Sequence, residues 1–228
     1  MSKKVLFIVS NASQIGPNNR ETGNYLPEVS HPYSEFIAKG YSIEIASATG
    51  GEAPVDGLDL TDDELNVEFL KGAGIKQMNN TLKVSEVNIA DYDAIFVPGG
   101  LGPMVDMPEN KEIQQAIADT YERGAVVGAV CHGPVSLLNV TLSNGSSLIE
   151  GKNITSFSNE EEEGYAKEDV PFLLESALVE KGANFTAVEP WQAHSIADGR
   201  LVTGQNPASA KGVAEKMINI LESLEVKA

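Results

Sequence analysis

Short apolar runs, each too brief to make a helix, recur along the chain between longer amphipathic stretches. That rhythm limits the fold more than any other feature. Val5-Leu-Phe-Ile-Val9 is rich in β-branched and aromatic residues and predicts a buried first strand. Ser42 to Ala48 and Ala94 to Val97 predict the second and third, Ala125 to Val130 the next, and Ile154 to Ser158 another. Tyr33 to Lys39 is the end of a helix, stopped by Gly40. Glu109 to Arg123 is a second helix, with Ile113 and Ile117 four apart and Gly124 just past its end. Val170 to Lys181 predicts a helix ended by Gly182, and Ala208 to Leu224 the closing one. Phe185 to Val188 and Arg200 to Thr203 read as late strands paired across Asp198-Gly199. Strands alternating with helices build right-handed βαβ units around a mostly parallel sheet.

Ala53 to Asn88 breaks the rhythm. Within it, Thr61-Asp-Asp-Glu64 has the spacing of a capping box that opens a helix. The segment reads as an insertion packed over one sheet edge, either a lid or a plain surface excursion. With 228 residues, one large domain is expected rather than two. The net charge of −17 repels phosphate backbones and anionic lipid, so nucleic acid and membrane surfaces are not expected partners. No apolar run approaches the ~18 residues of a membrane helix. Lys3 and Lys4 precede only Val5 to Val9 before polar residues begin, which is not a signal peptide. The single cysteine, Cys131, leaves no intrachain disulfide and no CxxC motif. A cytoplasmic protein is expected.

Chemistry concentrates at Ala129-Val-Cys131-His-Gly133-Pro134, at the C-terminal end of a predicted strand. Small-x-nucleophile-x-Gly suits a sharp strand-to-helix elbow, where a strained nucleophile needs neighbours without bulk. Pro134 fits the first helical position, where its missing N–H costs nothing. A thiol at a helix N-terminus has its thiolate stabilised by unpaired N–H groups. The alternative is that Cys131 is a small buried hydrophobe. His132 is either an acid or base for that thiol or a ring that satisfies local hydrogen bonds. Glu28 follows the first strand and so lies at the same sheet edge as the elbow, as a candidate carboxylate or a solvated one. Glu162 is a second candidate, within the acidic run Glu160 to Glu163 that also reads as an exposed helix start. Gly99-Gly100-Leu-Gly102 follows the third strand; its N–H groups could hold an oxyanion, or it is a structural turn.

Three stretches carry a resemblance: Phe96-Val-Pro-Gly-Gly100, Ala129-Val-Cys-His-Gly-Pro134, and Asp198 to Ser209. The chain resembles the ThiJ/PfpI superfamily, whose fold is shared with class I glutamine amidotransferases. Within it, the chain is similar to the chaperone-like, glutathione-independent glyoxalase III branch. The 53–88 segment and Pro190-Trp191 fit that branch better than the shorter PfpI-type proteases. The resemblance spans essentially the whole chain, 1–228. It implies a single-domain α/β fold, an αβα sandwich with a mostly parallel, flavodoxin-like sheet and a nucleophile elbow.

Carried over by position, the resemblance makes Cys131 the nucleophile, His132 its partner and Glu162 the acidic third member, with Glu161 or Glu163 in its place if the loop register slips by one. Glu28 matches the carboxyl that hydrogen-bonds the reactive thiol, and Gly99, Gly100 and the N–H of His132 are the implied oxyanion donors. Leu101 stands where the branch usually has histidine, which would alter polarity or proton handling near that loop. His194 is followed by Ser195 and Ile196, so the glutaminase His-x-Glu is missing, and the three histidines show no metal-ligand spacing. The implied activity is the cofactor-free conversion of methylglyoxal to lactate, with protein deglycation as related chemistry, in a homodimer. A holding chaperone with a redox-sensitive Cys131, or a cysteine peptidase or amidase, are the alternatives.

Overall fold

The apolar N-terminal run forms β1 (Lys4–Val9), buried from Val5 onward. Successive side chains alternate, so Val5, Phe7 and Val9 enter one core and Leu6 and Ile8 the other. The computed structural model describes residues 2–225. β1 lies inside a seven-stranded sheet with β2 (Ser42–Ser47), β3 (Leu82–Lys83), β4 (Ala94–Val97), β5 (Val126–Val130), β6 (Ser195–Asp198) and β7 (Leu201–Gly204). The spatial order is β6-β7-β5-β4-β1-β2-β3, parallel throughout except for the β6–β7 hairpin. After β1 the chain moves outward to β2 and β3, then returns to β4 on the other side. Loops leaving β1 and β4 therefore diverge, which opens a crevice at the C-terminal ends of the strands.

Helices cover both faces: α1 (Leu26–Ala38), α2 (Glu64–Lys71), α3 (Ala73–Met78), α4 (Lys111–Glu122), α5 (Asn159–Glu163), α6 (Leu174–Glu180) and α7 (Ala210–Glu225). Leu26, Val29 and Phe36 of α1 and Val213, Met217 and Leu221 of α7 share one core with Phe7, Phe96 and Val130. Phe7 sits 4.8 Å from Phe96 and meets Phe36 edge-on at 6.0 Å. Gly128 of β5 lets α7 approach, because a Cβ there would come 3.0 Å from Met217 Cε and closer still to its sulfur. Ile113, Ala116 and Ile117 of α4 cover the opposite face with Leu6, Ile95 and Val127. Each large side chain buried in these cores contributes roughly 1.5–3 kcal/mol. Among the described residues, no helix is long and apolar enough to cross a membrane.

Several predicted boundaries shift for identifiable reasons. In the run from Ile154 to Ser158 only Ile154 is strand, in a short parallel pair of Asn153–Ile154 with Asn184–Phe185. Beyond it the backbone has other partners: Thr155 N–H donates to Thr203 Oγ1 at 2.9 Å, and Phe157 N–H to the Cys131 carbonyl at 2.8 Å. Phe185 to Val188 does not pair with β7; Ser195–Asp198 does, folding back at Gly199 with φ +61°. α6 starts at Leu174 rather than Val170, as Pro171 disfavours helical geometry in the residue before it. Asp63, not Thr61, caps α2, its carboxylate accepting the Leu65 N–H at 2.9 Å. The 53–88 segment packs on α1, where Phe69 meets Tyr33 edge-on at 5.2 Å, and reaches the sheet as edge strand β3.

Candidate active site

The turn after β5 places Cys131 at φ +60°, a left-handed geometry that costs an L residue ~1–2 kcal/mol. Two backbone bonds hold it there. Its N–H donates to the Gly204 carbonyl at 2.9 Å, at the end of β7, and its carbonyl accepts the Phe157 N–H. Gly133 lets the turn lie against the end of β4, since a Cβ there would come 2.9 Å from the Pro98 carbonyl oxygen and closer to that of Val97. The expected elbow is present, but a short 3₁₀ helix, Gly133–Leu137, follows it in place of an α-helix. A dipole built over so few residues is weak. The expectation of a thiolate stabilised by the helix is accordingly corrected: burial, and then the neighbouring Glu28, push the Cys131 thiol well above its ordinary value. The N–H groups of Gly100 and His132 oppose that rise only in part.

His132 is buried beside the sulfur, with Nδ1 3.5 Å from Sγ. Its Nε2 lies 2.6 Å from Glu162 Oε2. A carboxylate can only accept, so Nε2 carries the proton and Nδ1 presents its lone pair to the thiol. Phe157 supports the ring at 4.5 Å between centroids. Among the three candidate acids, Glu162 alone points at the histidine. Glu161 faces Ser158, Gln205, Asn206 and Trp191, and exposed Glu163 pairs with Lys167 at 2.6 Å. Ser158 and Glu161 close a capping box on α5, which fixes the turn that carries Glu162.

Glu28 stands in the first turn of α1, fully buried and next to the Cys131 thiol. Neither carboxyl oxygen has a hydrogen-bond partner of ordinary geometry. Burial pushes the carboxyl up to about 8, and the Cys131 thiol and the N–H groups of Gly99 and Gly100 offset that only partly. At neutral pH the group is an acid with a proton to give, not a carboxylate. Stability carries the same signature. From the ordinary 4.5 up to about 8, the native state keeps a proton that the unfolded chain has released. Stability therefore falls as pH rises, by at most ~1.4 kcal/mol per pH unit, and levels off above that window. Glu28→Gln is expected to gain on the order of a few kcal/mol over the native chain at about pH 8 and little near pH 4.5. Urea unfolding across that range measures the difference, and parallel stability curves would refute the buried proton.

Cys131, His132, Glu28 and Gly100 face a cavity of about 140 Å³, completed by Tyr25, Phe157, Tyr165, Trp191 and Pro207. Among the described residues, no lysine or arginine lines it. Gly99 is not on its wall: the Gly99 N–H is turned to Glu28, and a Cβ on it would collide with Glu28 Oε2. Of the expected anion donors, Gly100 and His132 line the cavity, and their N–H groups reach the Cys131 sulfur. Leu101 also departs from expectation. Its side chain is buried in the α4-side core and does not line the cavity. The 53–88 segment contributes no lining residue either, although Val55–Asp56 pairs with Asn24–Tyr25 and so steadies Tyr25. Among the described residues, no three histidine, cysteine or acidic side chains converge as metal ligands.

A profile of the DJ-1/PfpI family matches residues 23–220. The chain belongs to the DJ-1/PfpI family. It is 35% identical to the glutathione-independent glyoxalase HSP31 of Saccharomyces cerevisiae, over 97% of this chain and 99% of that one. Its structure is similar to that of glyoxalase III from Candida albicans, with a TM-score of 0.86, 32% identity and coverage of 96% and 97%. The Rapid Encystment Protein 24 KDa of Francisella tularensis superposes with a TM-score of 0.91 at 39% identity, covering 96% of this chain and 99% of that one.

In this DJ-1/PfpI chain the aromatic walls are what the sequence does not disclose. Tyr25 ends a two-residue strand, and Phe157 and Tyr165 sit in a bend and a turn, with no periodicity to mark them. Trp191 left one signal, as the only tryptophan of the chain, within a polar stretch after a proline.

Proposed function

We propose that this chain is a cofactor-free, glutathione-independent glyoxalase that converts methylglyoxal to lactate in defence against reactive carbonyls, with Cys131 as nucleophile. The observation that carries the proposal is a sulfur flanked by a base and an acid at the wall of a small, uncharged cavity. At about 140 Å³ it is well below the ~300–1,000 Å³ of pockets that take drug-sized ligands. A neutral three-carbon dicarbonyl matches that size and charge; an extended peptide does not. Protein deglycation would require the tip of a modified side chain to enter the same space.

Cys131 Sγ adds to the aldehyde carbon C1 while its proton passes to His132 Nδ1, which gives a hemithioacetal. The developing oxyanion lies against the N–H groups of Gly100 and His132. The hydrogen on C1 leaves as a proton, the electron pair forms the C1–C2 enediol, and a proton arrives at C2. C1 is thereby oxidised to a thioester and C2 reduced to an alcohol, so electrons balance within the substrate. Water then attacks C1, the S–C bond breaks, and lactate departs with the thiol restored. Glu28 and His132 flank the sulfur as carriers for the C1-to-C2 proton, and Glu28→Gln separates them: a lost kcat assigns it to Glu28, a retained one to His132.

Lactate formed from methylglyoxal by purified protein without glutathione tests the proposal, and its absence at all concentrations would overturn it. Glu162→Gln is expected to lower kcat/KM by about 10²-fold, because an amide can turn its N–H₂ to His132 and reverse the tautomer. An unchanged rate would remove Glu162 from the machinery. A homodimer and a cytoplasmic location accompany the proposal on the strength of the resemblance and the lone cysteine; sedimentation of the purified chain tests the dimer.

A further inference from the structure

Trp191 stands at the cavity wall in a conformation that large residues seldom adopt. Its φ is +66°, which costs ~1–2 kcal/mol, and 51% of its surface is exposed. Ring burial alone is a poor reason for such a position. Its N–H, however, donates to Glu161 Oε1 at 2.8 Å. Glu161 is buried and meets only donors: Asn206 Nδ2 at 2.8 Å on the same oxygen, and Ser158 N–H at 3.0 Å, Ser158 Oγ at 2.9 Å and Gln205 Nε2 at 3.2 Å on the other. Donors on every side match an ionised carboxylate and no other side chain of that size. One group thus ties together the start of α5, the residues after β7 and the backbone beneath Trp191. The Trp191 ring meets Phe157 at 5.5 Å and Tyr165 at 6.2 Å, both edge-on, and these rings form one side of the cavity.

We propose that Trp191 is a size-selecting gate over Cys131, held in place by Glu161 as a positioning residue, which admits short α-oxoaldehydes and turns away those with a bulky substituent. The substrate class rests on the glyoxalase function proposed above; the gate itself is defined by access to the sulfur. Held at its backbone by Glu161 and at its ring by Phe157 and Tyr165, Trp191 sets a fixed opening instead of adapting to its guest. Glu161→Gln would place an N–H₂ against a ring of donors and release that backbone.

The chain has one cysteine and one tryptophan, so alkylation and indole fluorescence each report a single site. Labelling of Cys131 by iodoacetamide and by N-phenylmaleimide, followed by intact mass, gives a size ratio independent of catalysis. Trp191→Ala is expected to raise the phenylmaleimide-to-iodoacetamide rate ratio by about tenfold, and the phenylglyoxal-to-methylglyoxal ratio of kcat/KM by a similar factor. Trp191→Phe should restore both ratios to near the native values. Glu161→Gln should shift Trp191 emission to longer wavelength and move both ratios in the same direction. A labelling ratio that changes by less than about threefold in Trp191→Ala overturns the gate. Unaltered emission and ratios in a folded Glu161→Gln overturn its positioning role; should that variant not fold, the absence of an emission shift in Glu161→Asp overturns it. A changed labelling ratio without any lactate formation would sink the glyoxalase function and leave the gate standing. Lactate formation with unchanged ratios would do the reverse.

Discussion

Cys131→Ser is expected to abolish lactate formation from methylglyoxal, with kcat/KM falling by about 10⁴-fold or more, toward the uncatalysed rate. Serine has nearly the shape of cysteine and keeps both backbone bonds, to Gly204 and from Phe157. The fold should therefore persist, with an unchanged circular dichroism spectrum and a melting temperature within a few degrees. Its hydroxyl is a far weaker acid and a poorer nucleophile than the thiol, in a site whose spacing to His132 Nδ1 is set for sulfur at 3.5 Å. Parallel assays of lactate and of aldehyde disappearance separate chemistry from mere binding. Residual turnover above about a tenth of the native rate would show that the thiol is not the nucleophile.

Gly133→Ala is expected to be the most damaging small substitution at the elbow. The added Cβ meets two backbone oxygens, those of Val97 and Pro98, and neither can move without displacing the end of β4. Overpacking of this kind costs ~3 kcal/mol or more. For a chain of this length that lowers the melting temperature by roughly 6–12 °C. Cys131 would move with the turn, so activity should fall along with stability. Gly164→Ala is the control: no heavy atom lies within 4 Å of its added Cβ and φ there is −96°, so its stability should stay within ~0.5 kcal/mol of the native value. Urea midpoints for the two variants measure the contrast, and equal midpoints would show that the elbow tolerates a side chain at Gly133.

The strands and the reactive constellation are legible in the sequence for local reasons. Val5 to Val9, Ala94 to Val97 and Ala125 to Val130 are apolar over lengths that buried strands take, and Gly133-Pro134 marks the turn that carries the thiol. Glu28 follows from its place after β1, because every loop at that sheet edge faces the same crevice. What escapes is non-local. Ile154 to Ser158 has the composition of a strand, yet its backbone donors serve the elbow and Thr203 rather than a ladder. Leu101 is adjacent to Gly100 in sequence but lies in the opposite core, a divergence set by the left-handed turn at Gly100 with φ +90°. The raised thiol depends on burial contributed by segments distant along the chain, and no motif records it.

The stitching of Cys131 to Gly204 and Phe157 also dictates when the site comes into being. A nascent polypeptide carries an ordinary thiol, open to any electrophile, until its C-terminal hairpin has left the ribosome and docked beside β5. Chemical maturity thus waits until synthesis has passed β7. Chains truncated ahead of β7 should alkylate at the rate of a free cysteine, whatever the size of the reagent.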